Sequence, residues 1–114
     1  MSALARVAAA CCALALFLHA SVAAARGDPQ RGRAKAAELC AACHGPDGAK
    51  PSTPDQPVLA GQYYDYLVRA LLDYKAGKRN NAIMKGFAAN LTQREIEDLA
   101  AWFAAQPGGL YDRR

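Results

Sequence analysis

The sequence predicts an all-α fold, and three observations carry that prediction. Apolar residues recur at three- and four-residue spacing in two separate stretches, Tyr63 to Tyr74 and Ile96 to Phe103. Thr92 and Glu95 stand where a helix capping box requires them. No stretch alternates apolar and polar residues between turn signals, as a half-buried strand would. A chain of 114 residues has room for one domain, and 53% hydrophobic against 21% charged residues argues against disorder.

Those totals join two unlike segments. Residues 1–25 carry one basic side chain, Arg6, no acid, and an apolar run from Val7 to about Leu18 that passes into small residues. This is the layout of a cleavable secretory signal peptide, with cleavage expected after Ala23 or Ala25 and export to the periplasm. The competing reading is a retained anchor, since the run is nearly long enough to span a bilayer. Its alanine content and its interruption at His19 and Ser21 favour removal. Cys11 opens the apolar run instead of following it, so it does not read as a lipidation site. Removing residues 1–25 leaves 26–114, a single domain of 89 residues. It has a net charge of +3 and retains only Cys40, Cys43, His44 and Met84 of the chain's cysteines, histidines and methionines. A chain of that size is near the limit at which an apolar core suffices without a staple or cofactor.

The elements follow in order. Asp28 is an N-cap candidate with Pro29 at the first helical position, and the helix should run through Arg33 and Leu39 into Cys43. From His44 to Ala60 the chain holds Pro46, Pro51, Pro54 and Pro57 with Gly45 and Gly48, so it reads as an ordered loop. A second helix is expected from about Gly61 to Ala76, with Tyr63, Leu67, Ala70, Leu71 and Tyr74 on one face and Gly77 as the stop. Residues 78–90 read as a polar connection with a short apolar piece, Ala82-Ile83-Met84, and at most a short helix near Phe87. The last helix starts at the Thr92–Glu95 box, braced by Leu91 against Ile96. Its inner face is Ile96, Leu99, Ala100 and Phe103, and Pro107-Gly108-Gly109 ends it.

The chemistry concentrates in Cys40-Ala41-Ala42-Cys43-His44, a C-x-x-C-H sequence of the kind that attaches c-type haem. Two cysteines three apart present both sulfurs to one side, and the adjoining histidine brings an imidazole to the iron. Other uses of the same residues are weaker. A thioredoxin-like dithiol belongs beside a βαβ unit, zinc wants about four ligands, and a plain disulfide leaves His44 without a role. With His44 as proximal ligand, the other face of the iron has no second histidine to call on. Met84, the one methionine left after residue 25, is the favoured sixth ligand, carried on a loop able to fold back over the haem. A thioether is soft and neutral, and it raises the potential relative to harder ligands.

Taken together, Cys40-Ala-Ala-Cys-His44-Gly45, Pro57-Val-Leu-Ala-Gly-Gln62, Gly77-Lys-Arg, Met84 and Leu91-Thr-x-x-Glu95-Ile-x-Asp-Leu99-Ala-Ala-Trp102-Phe103 resemble the class I c-type cytochromes. The likeness is to the small bacterial cytochrome c5/c553 type and to single domains of cytochrome c4, and it covers residues 26–106. It implies a small cytochrome c fold in which N- and C-terminal helices cross and the middle helix and loops wrap one covalently bound haem c. It also implies that the Pro57 carbonyl accepts the proximal His44 Nδ1–H, and that Gly32 meets Trp102 where the helices cross. Ala36 stands where many relatives carry an aromatic, which would leave that part of the core thinner.

The function this implies is a soluble one-electron carrier in a periplasmic respiratory chain, with no bond chemistry on a substrate. The alternative is a gas- or peroxide-binding haem protein with a displaceable sixth ligand. Expected partners are redox proteins such as a membrane cytochrome complex, a dehydrogenase or a terminal oxidase. Nucleic acid and stable membrane insertion are not expected, and the chain should be a monomer or weak dimer. Lys50, Lys75, Lys78, Arg79 and Lys85 flank the proposed haem-enclosing loops and suit either an acidic partner or ordinary solvation. The intact mass of the exported protein should equal residues 24–114 or 26–114 plus one haem. A mass without haem would instead support the dithiol reading.

Overall fold

The computed structural model describes residues 26–108 and residue 110, so the signal-peptide expectation lies outside the described residues. Helix α1 is Pro29–Leu39, and Asp28 caps it by accepting hydrogen bonds from the backbone N–H groups of Gln30 and Arg31. The helix stops short of the expected end. Cys40, at φ −108° and ψ −30°, departs from helical geometry, and a separate turn α2, Ala41–His44, follows. The Cys40 N–H still bonds to Ala36, and beyond the break the Cys43 and His44 N–H groups both turn to the Cys40 carbonyl.

Helix α3 is Tyr64–Ala76 and begins three residues later than the periodicity suggests. Gly61 and Gln62 are committed to a turn: the Gly61 N–H donates to the Phe103 carbonyl and that of Gln62 to Leu59. Gly77 closes α3 in the left-handed conformation, as expected. Helix α4, Ala82–Ala89, corrects the expectation of a connection with Met84 on a loop. Asn81 caps it, its side-chain oxygen accepting from the Met84 N–H at 3.0 Å. Helix α5 is Gln93–Ala104 and opens on the full Thr92–Glu95 capping box.

Helices α1 and α5 pack against each other, and α3 packs on both α5 and α4. The core between them is Ala36, Leu67, Leu91, Ile96, Leu99, Ala100 and Phe103, with Leu39, Leu71, Leu72 and Trp102 against its edge. Ala36 is fully buried there. The crossing is set by Gly32: a Cβ at that position would lie 1.9 Å from the Asp98 carbonyl oxygen and 2.9 Å from the Trp102 Cβ. The expected meeting of Gly32 with Trp102 is present, and the closer contact is to the α5 backbone itself.

A polar latch sits beside the crossing. Asp98 is 2% exposed yet fully partnered. It accepts from the Asp28 N–H at 2.6 Å, from Arg31 Nε at 2.8 Å and from Arg31 Nη2 at 3.1 Å. The Arg31 bonds hold the Asp98 carboxyl below the usual range against the opposing pull of burial, with the Asp28 N–H adding to the same effect. One turn away, Lys35 bridges Glu38 on its own helix and Glu95 on α5.

Two outcomes follow from the crossing. Gly32→Ala should lower the unfolding free energy of the holoprotein by about 1–3 kcal/mol in guanidinium titration, because the methyl group forces the helices apart. Asp98 has a lowered carboxyl pKa, so its contribution is present above about pH 4 and is lost as pH falls through the folded-state value. Asp98→Asn should therefore be less stable at pH 7 by about 1–3 kcal/mol and should lose less stability on acidification, as read by denaturation midpoints across pH.

Candidate functional site

The C-x-x-C-H residues occupy the junction of α1 and α2. Gly45 ends α2, and the chain then folds back on it. Ser52 donates twice to that turn, from its N–H to the Cys43 carbonyl at 2.9 Å and from its hydroxyl to the Ala42 carbonyl at 2.6 Å. Gly48 gathers the far side of the loop, its carbonyl accepting from the N–H groups of Leu59 and Ala60. At φ +76°, with Leu59 and Phe103 side chains 2.8 Å from any Cβ, that position admits only glycine. Helix α5 pins both ends of the loop, since Trp102 Nε1–H donates to the Pro46 carbonyl and the Gly61 N–H to Phe103.

This folding delivers the Pro57 carbonyl to His44. The imidazole is 7% exposed, and its Nδ1 lies 2.9 Å from the Pro57 oxygen. A carbonyl only accepts, so Nδ1 carries the proton and Nε2 keeps its lone pair. Such a bond fixes the tautomer and increases the basicity of the free nitrogen toward a metal.

Cys40 and Cys43 are both free and half-buried. Burial pushes the Cys40 thiol up to about 11, with Cys43 adding to the effect. A dithiol that exchanges disulfides needs the opposite, a thiolate favoured near neutral pH. Among the described residues no group of three or more His, Cys, Asp or Glu is arranged to hold a bare metal ion. The donors present are two thiols, an oriented imidazole and a thioether, which suit iron in a covalently attached macrocycle.

Met84 stands apart from this cluster, half-buried in the first turn of α4. That helix carries one charged residue, Lys85, yet buries only Ala88. Ile83 is 67% and Phe87 44% exposed. So much uncovered apolar surface around the methionine fits a large apolar group lying against α4. The structure thus brings Cys40, Cys43, His44 and Pro57 together and puts Met84 on a separate helix. Of the basic residues singled out, Lys75 is engaged with the Leu91 carbonyl and Arg79 stacks 4.6 Å from the Tyr74 ring centroid. Lys50, Lys78 and Lys85 are exposed. Sequence reasoning missed Asn81, although an asparagine three residues before Met84 is a capping signal, and it missed Asp98, which has no local signature.

Comparison with known proteins agrees with this geometry. A family model described as cytochrome C oxidase, cbb3-type, subunit III matches residues 27–103. Cytochrome c4 of Thiocapsa roseopersicina is 47% identical over 89 residues, covering 78% of this chain and 45% of that protein. Cytochrome c-554(548) of Halomonas halodenitrificans is 37% identical over 83 residues, covering 70% of this chain and 98% of that protein. Reduced recombinant cytochrome c4 from Pseudomonas stutzeri superposes with a TM-score of 0.66 at 38% identity, over 72% of this chain and 47% of that one. The chain spans less than half the length of the cytochrome c4 relatives it matches.

Proposed function

The chain belongs to the class I c-type cytochromes, in the family of cytochrome c4 and cbb3-type oxidase subunit III, and from that premise we propose that it is a periplasmic one-electron carrier of a respiratory chain. Its cofactor is haem c, covalently bound. Cys40 and Cys43 would hold the haem through thioethers, and His44 Nε2 and Met84 would ligate its iron. Bound there, the haem supplies reversible one-electron exchange between ferric and ferrous iron.

The observation that supports this most is the His44–Pro57 bond. It sets the proximal nitrogen as a donor without any movement of the ring. As a ligand, Met84 would supply a neutral, soft thioether that favours the ferrous state and would leave oxygen or a substrate no open position. The chain therefore moves charge and makes or breaks no substrate bond.

The partners are redox proteins such as a membrane cytochrome complex, a dehydrogenase or a terminal oxidase. Exposed Lys50, Lys78 and Lys85 suit an acidic docking surface. Among the described residues no helix is long and apolar enough to cross a membrane. Residues 1–25 act as the export signal, and the remaining domain works as a monomer or weak dimer.

Substitution of the two axial ligands tests the assignment. His44→Ala should prevent accumulation of stable holoprotein. Met84→Ala should convert the low-spin spectrum to one with an open site, lower the potential and let the ferrous protein bind carbon monoxide. A low-spin spectrum and potential unchanged in Met84→Ala would show that another group occupies the iron. Rapid carbon monoxide binding by the unaltered ferrous protein would favour the gas-binding alternative.

A further inference from the structure

The two sides of the site are held very differently. His44 is fixed by its main-chain carbonyl partner and by a loop bonded to α2 and α5. Met84 rides on α4, eight residues long, which buries one side chain and packs on α3. An isolated helix of that length is marginal in water, because nucleation costs more than a few turns return. No salt bridge among the described residues reaches α4. Its first turn is closed by Asn81 alone, through the side-chain bond to the Met84 N–H at 3.0 Å and the Lys85 N–H donating to the Asn81 carbonyl at 2.9 Å.

We propose that Asn81 is a positioning residue for the iron's sixth ligand: by capping α4 on the Met84 N–H, it sets how often the Met84 sulfur leaves the iron. This rests on Met84 being that ligand. If the first turn of α4 frays, Met84 is the residue whose backbone restraint is lost, at the third helical position. The iron–sulfur bond and the cap close the same turn, so weakening one raises the population in which the other is open. Loss of a side-chain N-cap shifts such an equilibrium about fivefold. The chain thus tunes the ligand from a residue that bonds to its backbone and not to its sulfur.

The experiment uses the ferrous holoprotein and the rate of carbon monoxide binding, which reads the methionine-off population. The ferric charge-transfer band of sulfur ligation, titrated with added imidazole, gives a second readout. Asn81→Ala should bind carbon monoxide about fivefold faster. Its ferric sulfur band should also be lost at a lower imidazole concentration. Asn81→Ser, which restores a neutral capping oxygen, should return both toward the unaltered protein. Thr92→Ala removes the α5 cap instead, and should lower the denaturation midpoint without changing either readout. Equal rates in Asn81→Ala and the unaltered protein, or an equal acceleration in Thr92→Ala, would overturn the proposal. A Met84→Ala protein that keeps its low-spin spectrum would instead remove the ligand assignment on which the proposal stands.

Discussion

The close approach of α1 to α5 at Gly32 is the constraint on which the rest of the structure depends. With a hydrogen where every other residue has a carbon, the α5 backbone at Asp98 comes close enough for its side chain to take up the Asp28 N–H and the Arg31 guanidinium. That placement fixes Trp102 and Phe103, one turn further on, which hold Pro46 and Gly61 at the two ends of the loop. The loop then sets the Pro57 carbonyl against His44. A missing methyl group and an imidazole tautomer are thereby linked through two helices and one loop.

The latch beside the crossing is polar, which needs a physical account. A carboxylate buried to this degree is costly unless its charge is met by donors. Asp98 has three of them within 3.1 Å, so it behaves as a clamp on the start of α1 and not as an unpaired charge. Arg31 is half exposed, so its side of the pair is screened by water, and the Asp28 main-chain bond supplements it from within the fold.

What could be read from the sequence was what is local. The Asp28-Pro29 start, the Gly77 stop and the Thr92–Glu95 box each depend on residues within one turn, and each stands where expected. The C-x-x-C-H residues were equally legible, because their spacing is itself the chemistry, and Pro57 was legible only through the resemblance. The break at Cys40 was not, as no residue there signals it, nor was the late start of α3, which follows from the Gly61 N–H bond to distant Phe103. The short helix near Phe87 was legible, but its reach back over Met84 was not, because eight residues carry little periodicity. Its Asn81 cap was the available sign. Asp98 could not be told from other acids, as its partners lie 67 and 70 positions away in the chain.

Trp102 is the chain's single tryptophan, and its surroundings give it a use unrelated to redox chemistry. Its indole lies 5.7 Å from the Arg33 guanidinium of α1 and donates to Pro46 of the loop, 56 residues away in sequence. Its emission therefore changes only when three segments from the beginning, middle and end of the domain arrive in one place. Closing a stretch of that length costs chain entropy that only the assembled domain offsets. The protein thus contains an intrinsic optical reporter of the joining of α1, the loop and α5, readable wherever the haem does not quench it.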